Sequence, residues 1–507
     1  MTARETIPHR IFASAAVHGD RVAIRDEAGV ETRYAEIEPR LKARAARLIA
    51  RGVGRGDRVA LWAPNSGEWI IEALAILAAG AVLVPLNTRL KGREAAHILS
   101  RSDACMLVTV REFLGVDFAA LVAPFDLPAL RHVELLDEPG EAAVAADAEV
   151  EERLAALSPG DISDILFSSG TTGAPKGAMT THGQNLALYS VYAQRLGLRP
   201  GDINLGANPF FHSFGYKAGW MVALMQGCTI LPHAVFDAAA ILRRIGEERI
   251  TVLPGPPTVY QSLLAQPFQP ADIASLRLAI TGAARVPVAL ISDMRERLGF
   301  ETVLTAYGLT ENCGLVTMCA PGDPLEVIAG SAGRPVEGVE VRIVDDSGLG
   351  VSAGEPGHLH VRGVGVMQGY VGDPEATARA IDPRGWLRTG DIAVADAAGN
   401  ISITDRSDDM FTVGGFNVYP AEVENLLCGH PAVLQAAVVG APDERLGSIP
   451  LAFCVLRPGH TLTPDALAAW ARTEMANYKQ PRRIEIVNEL PLNASGKVQK
   501  YLLREER

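Results

Sequence analysis

The 507-residue chain lacks the features that mark secreted, metal-stapled or nucleic-acid-binding proteins. Its six cysteines include no C-x-x-C pair, which predicts reduced thiols rather than disulfides or a zinc site. The first residues, MTARETIPHRIF, contain no continuous apolar core of a signal peptide. The net charge of −12 and the absence of a Lys/Arg stripe argue against a nucleic-acid partner. We therefore expect a cytoplasmic protein with no nucleic-acid ligand.

One long apolar run, WIIEALAILAAGAVLVPL from Trp69, approaches the roughly 20 residues of a membrane span. Glu72, Gly80 and Pro85 interrupt it. The first half has the length and composition of a helix, and AVLVPL has those of a buried strand. The run therefore predicts a helix followed by a core strand, with no membrane span.

The order of the apolar patterns predicts the fold class. Helical patterns alternate with short β-branched runs over the first 300 or so residues, which is typical of mostly parallel sheets covered by helices. Between about 330 and 405, short runs such as GHLHVRG and ISITDR predict a small β-barrel-like part. We predict an α/β fold with a large N-terminal domain of doubly wound mixed sheets (1–405). A small mobile α+β C-terminal domain (406–507) would follow, with a hinge near Asp408.

The stretch SSGTTGAPKG, residues 168–177, has the composition of a phosphate-binding loop. It is not a Walker loop, because Pro175 precedes Lys176 and Gly177 follows it. Nor does the chain contain the G-x-G-x-x-G pattern of dinucleotide-binding folds. The loop follows the apolar strand pattern DILF, so backbone N–H groups and hydroxyls would converge beyond the end of a strand. We predict a phosphate site here.

Four further motifs follow in order: TAYGLTE (305–311), GWLRTGD (385–391), DRSDDMFTVGGFNVYPAEVE (405–424) and NASGK (493–497). With the phosphate loop they resemble the adenylate-forming superfamily of acyl-CoA synthetases, adenylation domains and beetle luciferases. The resemblance spans nearly the whole chain. It implies an enzyme that joins a carboxylic acid to AMP, releases pyrophosphate and passes the acyl group to a thiol. ATP and CoA would be co-substrates and Mg²⁺ the cofactor.

The resemblance also implies an ATP site. The residues that would hold the β- and γ-phosphates are Ser168, Ser169, Gly170, Thr171, Thr172, Gly173 and Lys176. Those that would contact adenine, ribose and the α-phosphate are Gly282, Ala283, Ala284, Tyr307, Gly308, Thr310, Asp391 and Arg406. Glu311 and Thr172 would bind magnesium, which suits one carboxylate together with phosphate oxygens and water.

The same resemblance implies roles for residues of the mobile C-terminal domain. Lys497 would bridge the substrate carboxylate and the α-phosphate during adenylation and then withdraw with its domain. Together with Thr172, Glu311 and His212, it forms the implied catalytic set. Gly414, Gly415 and Phe416 would line the passage for the CoA thiol.

The class of carboxylic acid that the enzyme would activate is indicated by the lack of an acidic side chain in one segment. No Asp or Glu lies between Pro209 and Trp220, where amino-acid-activating relatives pair the α-amine, so we predict an acid without one. His212 would gate the acyl tunnel. The other predicted pocket residues, some of which ordinary core packing explains equally well, are Phe214, Tyr216, Lys217, Val259, Ala306, Gly308, Asn312 and Val316. Lys217 would either hydrogen-bond a ring ketone or extend to solvent.

Within the family, NPFFHSFGYKAG, ITVLPGPPTVYQSLL and VLTAYGLTE look similar to actinobacterial ligases that activate the ring-C/D propanoate of steroid catabolism. This indicates an apolar acid, either alicyclic or medium-chain. Three alternatives stay open: transfer to a carrier-protein thiol, a luciferase-like oxygenase that shares the first half-reaction, and a nucleotide-binding pseudoenzyme. A homodimer is also open.

Overall fold

The computed structural model describes residues 5–136, 147–168, 175–282, 286–406, 409, 411–413, 416–418, 420–443, 446–475, 477–492 and 498–505. The chain divides into two compact units, Met1–Val341 with Val361–Leu387 and Arg342–His360 with Arg388–Arg507. This division places 342–360 and 388–405 with the C-terminal part, whereas the sequence predicts a boundary after 405. The predicted hinge, Asp408, lies outside the described residues and stays a prediction.

Two mixed sheets form the first unit in the part of the chain that the structure describes. With strands numbered in chain order, the nine-stranded sheet contains β1 (Val22–Arg25), β2 (Glu31–Arg33), β9 (Ile203–Gly206), β10 (Thr229–Pro232), β11 (Val252–Pro254), β12 (Leu278–Gly282), β13 (Thr302–Tyr307), β14 (Thr317–Met318) and β15 (Arg334–Pro335). The seven-stranded sheet contains β3 (Arg58–Trp62), β4 (Val82–Pro85), β5 (Ala104–Thr109), β6 (His132–Leu135), β7 (Ile162–Ser168), β8 (Lys176–Thr181) and β18 (Gly369–Tyr370). Their spatial orders are β15-β14-β13-β12-β11-β9-β10-β1-β2 and β18-β8-β7-β4-β3-β5-β6.

The central strands are parallel and buried, while antiparallel strands lie towards the edges. Strands β11, β12 and β13 pair in parallel, and β14 adds to β13 in the antiparallel direction. In the second sheet, β3 pairs in parallel with β4 and β5, whereas β7 and β8 are antiparallel. All six residues of β5 are buried, as expected for a strand covered on both faces. The predicted α/β class with mixed sheets is confirmed.

Helices connect and cover these strands. Those of the first unit are α1 (Ile7–His18), α2 (Tyr34–Ala50), α3 (Gly67–Ala78), α4 (Gly92–Arg101), α5 (Phe118–Val122), α6 (Asp147–Ala156), α7 (His182–Leu196), α8 (Ser213–Gly215), α9 (Val222–Met225), α10 (Ala238–Glu248), α11 (Pro257–Leu264), α12 (Pro270–Ile273), α13 (Val288–Glu296), α14 (Leu325–Gly330) and α15 (Pro374–Ala380). A π-helix spans Tyr216–Met221 and a 3₁₀ turn spans Thr310–Asn312.

The apolar run from Trp69 forms α3 and β4, as predicted. The Ser66 side chain caps α3 by accepting a hydrogen bond from the Trp69 N–H. Within this helix Glu72 is fully buried, and Arg47 of α2 pairs with it at 2.9 Å. Among the described residues, no helix has the length and apolar character needed to cross a membrane.

The strands of the four-stranded sheet, whose residues belong partly to each unit, are β16 (Val339–Val344), β17 (Gly357–Gly363), β19 (Leu387–Ala395) and β20 (Ile401–Arg406). The remaining sheet of the second unit contains β21 (Phe411–Val413), β22 (Phe416–Val418), β23 (Val433–Asp443), β24 (Gly447–Leu456) and β25 (Arg483–Val487). The accompanying helices are α16 (Pro420–Cys428), α17 (Pro464–Glu474), α18 (Lys500–Glu505) and a 3₁₀ turn at Asn477–Lys479. A buried cluster around Val418, Val438 and Leu467 forms the core of this smaller part.

Candidate active site

The predicted phosphate loop lies between two paired strands. Strand β7 ends at Ser168 and β8 begins at Lys176, and these two residues face each other in the antiparallel register. Residues 169–174, which include the predicted contacts Ser169, Gly170, Thr171, Thr172 and Gly173, lie outside the described residues. Ser168 and Lys176 are both half-buried. They place a hydroxyl at one end of the loop and an ammonium group at the other.

Glu311 lies beside these two residues, although it follows a strand of the other sheet. Its Oε1 accepts hydrogen bonds from the Ser168 hydroxyl at 3.1 Å and from the Tyr370 hydroxyl at 3.0 Å. The Lys176 ammonium lies 5.4 Å from the centre of the Tyr370 ring, within the range of a cation–π contact. The structure thus brings the predicted metal carboxylate and the two ends of the phosphate loop together.

The turn that presents Glu311 requires glycine. Strand β13 ends at Tyr307, and the chain folds back so closely that a Cβ on Gly308 would lie 2.1 Å from the Gly314 carbonyl oxygen. Thr310 and Glu311 then open the 3₁₀ turn. Any larger residue at 308 would push this turn away from β13.

The adenine contacts predicted from the sequence follow strand ends as well. Gly282 ends β12 and pairs with Ala306 of β13, next to the half-buried Tyr307. Ala283 and Ala284 lie outside the described residues. Because ligands of α/β sheets bind beyond the carboxyl ends of parallel strands, this edge is suited to a nucleotide.

The carboxylate of Glu311 has capacity for a cation. Its Oε2 has no hydrogen-bond partner among the described residues, while Ser168 and Tyr370 hold Oε1. No group of three or more His, Cys, Asp or Glu side chains in the described ranges could hold a metal ion by itself. One carboxylate with phosphate oxygens and water suits Mg²⁺ bound together with ATP.

The segment predicted to bind the acid, residues 209–220, is called the acyl segment below and contains an unusual helix. His212 is half-buried and its Nδ1 accepts a hydrogen bond from the Phe214 N–H at 3.2 Å. Phe214 is also half-buried, whereas the π-helix that follows is buried throughout. π-helices are rare and occur frequently at functional sites.

Several predicted pocket residues belong to the packed core. Tyr216 is fully buried and stacks on Trp220 with ring centres 4.9 Å apart. Burial raises the pKa of the Tyr216 hydroxyl well above its usual value, so this group stays neutral. Val259 and Val316 are buried, whereas Ala306 is half-buried and Gly308 is exposed.

Asn312 differs from these core residues because it is a buried polar group with a free acceptor. Its side-chain N–H donates to the Leu315 carbonyl at 2.6 Å, but its Oδ1 has no partner among the described residues. Contact of any of these pocket residues with the acid stays a prediction.

Lys217 is fully buried, which excludes the predicted alternative that it extends to solvent. Its Nζ lies 2.8 Å from Oδ1 of Asp164, which is also fully buried, and donates to the Thr180 hydroxyl at 2.9 Å. A carboxylate therefore does reach the acyl segment, from strand β7, although its charge is offset by Lys217. Contact of Lys217 with a substrate ketone stays a prediction.

Two of the residues that the structure brings to this region, Tyr370 and Asp164, were not singled out by the sequence analysis. Tyr370 lies 59 positions after Glu311, outside every motif identified above, so no spacing connects them. Asp164 directly precedes the apolar run ILF within the buried part of strand β7. A carboxylate in so buried a strand, and a lysine in so apolar a helix, were the signals that could have paired Asp164 with Lys217.

In the second unit, Asp391 of β19 pairs with Arg406 of β20 in the strand register. Asp391 is buried, and its N–H donates to the Thr389 hydroxyl at 3.0 Å. The side chains of Arg406 and Phe416 are not among the described groups.

The other predicted residues of this unit fall outside the described ranges. Gly414 and Gly415 separate β21 from β22, and Lys497 directly precedes Val498. Val498 forms an isolated antiparallel bridge with Leu492. The thiol-passage and lysine assignments therefore stay predictions.

The chain is similar to known enzymes over almost its full length. The family model of the AMP-binding enzymes matches residues 11–371, and the model of the AMP-binding enzyme C-terminal domain matches residues 422–497. A 3-(7a-methyl-1,5-dioxo-octahydro-1H-inden-4-yl)propanoyl:CoA ligase of Mycobacterium tuberculosis is 49% identical over 91% of this chain and 91% of its own length. A ligase of the same name from Rhodococcus jostii is 44% identical over 99% of both chains. The crystal structure of the anthranilate CoA ligase AuaEII with anthranoyl-AMP has a TM-score of 0.88 and 29% identity, covering 100% of this chain and 98% of that one.

The carboxylate, hydroxyl and ammonium groups at the strand ends, together with these similarities, define an adenylate-forming enzyme. The chain belongs to the AMP-binding enzyme family. Within it, the chain is an ATP-dependent acid–CoA ligase, which confirms the predicted activity.

Proposed function

We propose that this ligase activates an apolar alicyclic acid, a propanoate carried on a fused-ring ketone, with medium-chain fatty acids as weaker substrates. The relatives at 49% and 44% identity that are named for such a propanoate support this substrate class. The observation that carries the proposal is the acyl segment itself. Asp164, the carboxylate that reaches this segment through Lys217, already accepts from four donors, so it offers no counter-charge to an amino acid's α-amine.

The residues of the chain would act in two stages. In adenylation, Lys176 and the phosphate loop would hold the β- and γ-phosphates while His212 and Phe214 direct the carboxylate towards the α-phosphate. Lys497 would offset the negative charge where the two anions meet. In the second stage, the C-terminal domain would turn about Asp408 and open the thiol passage at Gly415.

Magnesium would bind at Glu311 and, as the sequence predicts, at Thr172. When bound, it would offset charge on the phosphate oxygens. The hydroxyls of Ser168 and Tyr370 hold Oε1 of the Glu311 carboxylate and would steady it as a ligand for that cation. The nucleotide contacts of Asp391, Arg406, Tyr307, Thr310 and the loop, and a cytoplasmic location, belong to the same proposal.

The test is a ranking of acids by CoA-dependent AMP formation. The panel contains a fused-ring keto-propanoate, its deoxo analogue, medium-chain fatty acids and the common amino acids. We expect the fused-ring propanoate to give the highest kcat/KM. An amino acid at the head of the ranking would overturn the substrate class. Equal rates with a carrier-protein thiol in place of CoA would favour the carrier-loading alternative.

A further inference from the structure

A fully buried ion pair lies next to the acyl segment without a role in the chemistry described so far. Asp164 Oδ1 accepts from Lys217 Nζ and from the Thr180 hydroxyl, each at 2.8 Å. Asp164 Oδ2 accepts from the Ser163 hydroxyl and the Asn185 amide, each at 2.7 Å. The carboxylate therefore has four donors and no exposure to solvent.

Stability alone does not account for this pair. Burying two charges costs desolvation that their attraction often fails to repay, and apolar side chains of similar size are frequently as good or better. A buried pair of this kind fixes one relative position of the elements that carry it, because either charge left without its partner is strongly unfavourable. The question is which elements Lys217 and Asp164 fix.

The pair joins the phosphate strands to the acyl segment. Asp164 lies four residues before Ser168 on β7, and Thr180 lies four residues after Lys176 on β8. Lys217 lies five residues after His212, at the start of the π-helix. The ends of the phosphate loop and the residue predicted to gate the acid are therefore tied through one buried contact.

The turn that carries Glu311 packs against the same region. Gly314 has φ +91°, and a Cβ there would lie 2.8 Å from the Cβ of Ser213. Helix α7, which supplies Asn185 to the carboxylate, also holds the Cys313 carbonyl through the Tyr189 hydroxyl at 3.1 Å. The phosphate strands, the acyl segment and the turn that carries Glu311 thus meet around one buried centre.

We propose that the Lys217–Asp164 pair positions the two substrates of adenylation, by holding the acyl segment in register with β7 and β8 so that carboxylate and α-phosphate meet. Lys217 then acts as a positioning residue and contacts neither the carboxylic acid nor ATP. The inference rests on the proposed function, since the role of the acyl segment comes from there.

The test removes both charges together. In Lys217→Met/Asp164→Leu no buried charge is left unpaired, but the hydroxyls of Ser163 and Thr180 and the Asn185 amide lose their acceptor. We therefore expect a melting temperature below that of the wild type but above that of Lys217→Met. The single variant Lys217→Met leaves Asp164 unpaired and should melt at a lower temperature. The double variant should bind ATP within about twofold of the wild type, as measured by calorimetry, while adenylation slows about 10- to 100-fold because the reactants are misaligned. Pyrophosphate exchange measures that step alone.

A second neutral pair and a remote pair serve as controls. Lys217→Gln/Asp164→Asn keeps hydrogen-bonding groups and gives the same comparison if the apolar pair folds poorly. Arg47→Met/Glu72→Leu removes a buried ion pair between α2 and α3, in which Glu72 also pairs with Arg44 and Arg47 with Glu134. We expect that control to leave the adenylation rate unchanged, whatever its effect on stability.

The acids distinguish positioning from direct contact. Positioning predicts the same fold loss with the keto-propanoate and with its deoxo analogue. A loss confined to the keto acid would mean that Lys217 binds the ketone, and a folded double variant with wild-type adenylation would mean a purely structural pair. Either result would overturn this inference alone. A wild-type protein that activates no acid would overturn the proposed function and this inference with it.

Discussion

Removing the hydroxyl of Tyr370 tests how the Glu311 carboxylate, proposed to bind magnesium, is held. Tyr370→Phe deletes the 3.0 Å hydrogen bond to Glu311 Oε1 but keeps the ring that lies 5.4 Å from the Lys176 ammonium. The Ser168 hydroxyl, at 3.1 Å, remains as a second donor. The change therefore loosens the carboxylate without removing it.

The size of the effect follows from the surroundings of this bond. A buried hydrogen bond to a charged group contributes about 1.5–3 kcal/mol. Tyr370 and Glu311 are only half-buried and Ser168 remains, so about 1 kcal/mol is a better figure. That corresponds to about fivefold weaker binding of magnesium–ATP.

The assay is calorimetric titration of ATP into the protein at several Mg²⁺ concentrations, with no acid present. We expect the variant to need more Mg²⁺ for the same ATP affinity, while its KM for the acid is unchanged. Tyr34→Phe is the matched control, since the Tyr34 hydroxyl donates to the Cys228 carbonyl at 2.7 Å in the core. It should lower the melting temperature and leave the Mg²⁺ dependence as it was.

Two results would refute this reasoning. One is an unchanged Mg²⁺ dependence in Tyr370→Phe, which would show that Ser168 alone orients Glu311. The other is an equal shift in Tyr34→Phe, which would show a general loss of stability rather than a local loss of orientation.

Three further predictions concern the C-terminal domain that is proposed to move and the buried histidine. Lys497→Ala should slow adenylation about 10²-fold or more yet spare thioester formation from supplied acyl-adenylate. Gly415→Leu should block thioester formation and spare adenylation. Loss of the same half-reaction in both variants would refute domain alternation. Asp408→Pro, which fixes φ near −65°, should leave one half-reaction intact, and equal loss of both would indicate misfolding. Burial lowers the pKa of His182 to about 4, so the unfolded chain binds a proton between about pH 6.5 and 4 that the folded chain does not. The free energy of unfolding should therefore fall as pH drops through that range and stay level above it. His182→Asn should flatten this pH dependence, as measured by thermal melts at several pH values. An unchanged pH dependence in the variant would contradict the assignment of the effect to His182.

The sequence by itself determined the class of fold and the order of the motifs. The apolar run from Trp69 was predicted to be a buried helix and strand, because Glu72, Gly80 and Pro85 argue against a membrane span, and it forms α3 and β4. The loop at 168–177 was placed correctly after a strand, since a strand pattern leads directly into it. Such features depend on neighbours a few residues apart, which local patterns record.

Only the tertiary structure decided which distant side chains meet. Glu311 and Tyr370 come together because β18, which contains Tyr370, pairs with β8 at the edge of one sheet, while Glu311 follows a strand of the other. Lys217 was expected either to extend to solvent or to hydrogen-bond a ketone; the first alternative is wrong, because the side chain is buried and paired with Asp164, 53 positions earlier in the chain. A contact between elements depends on how sheets and helices pack. That packing is set by the whole folded core, so the spacing of residues along the chain carries no record of it.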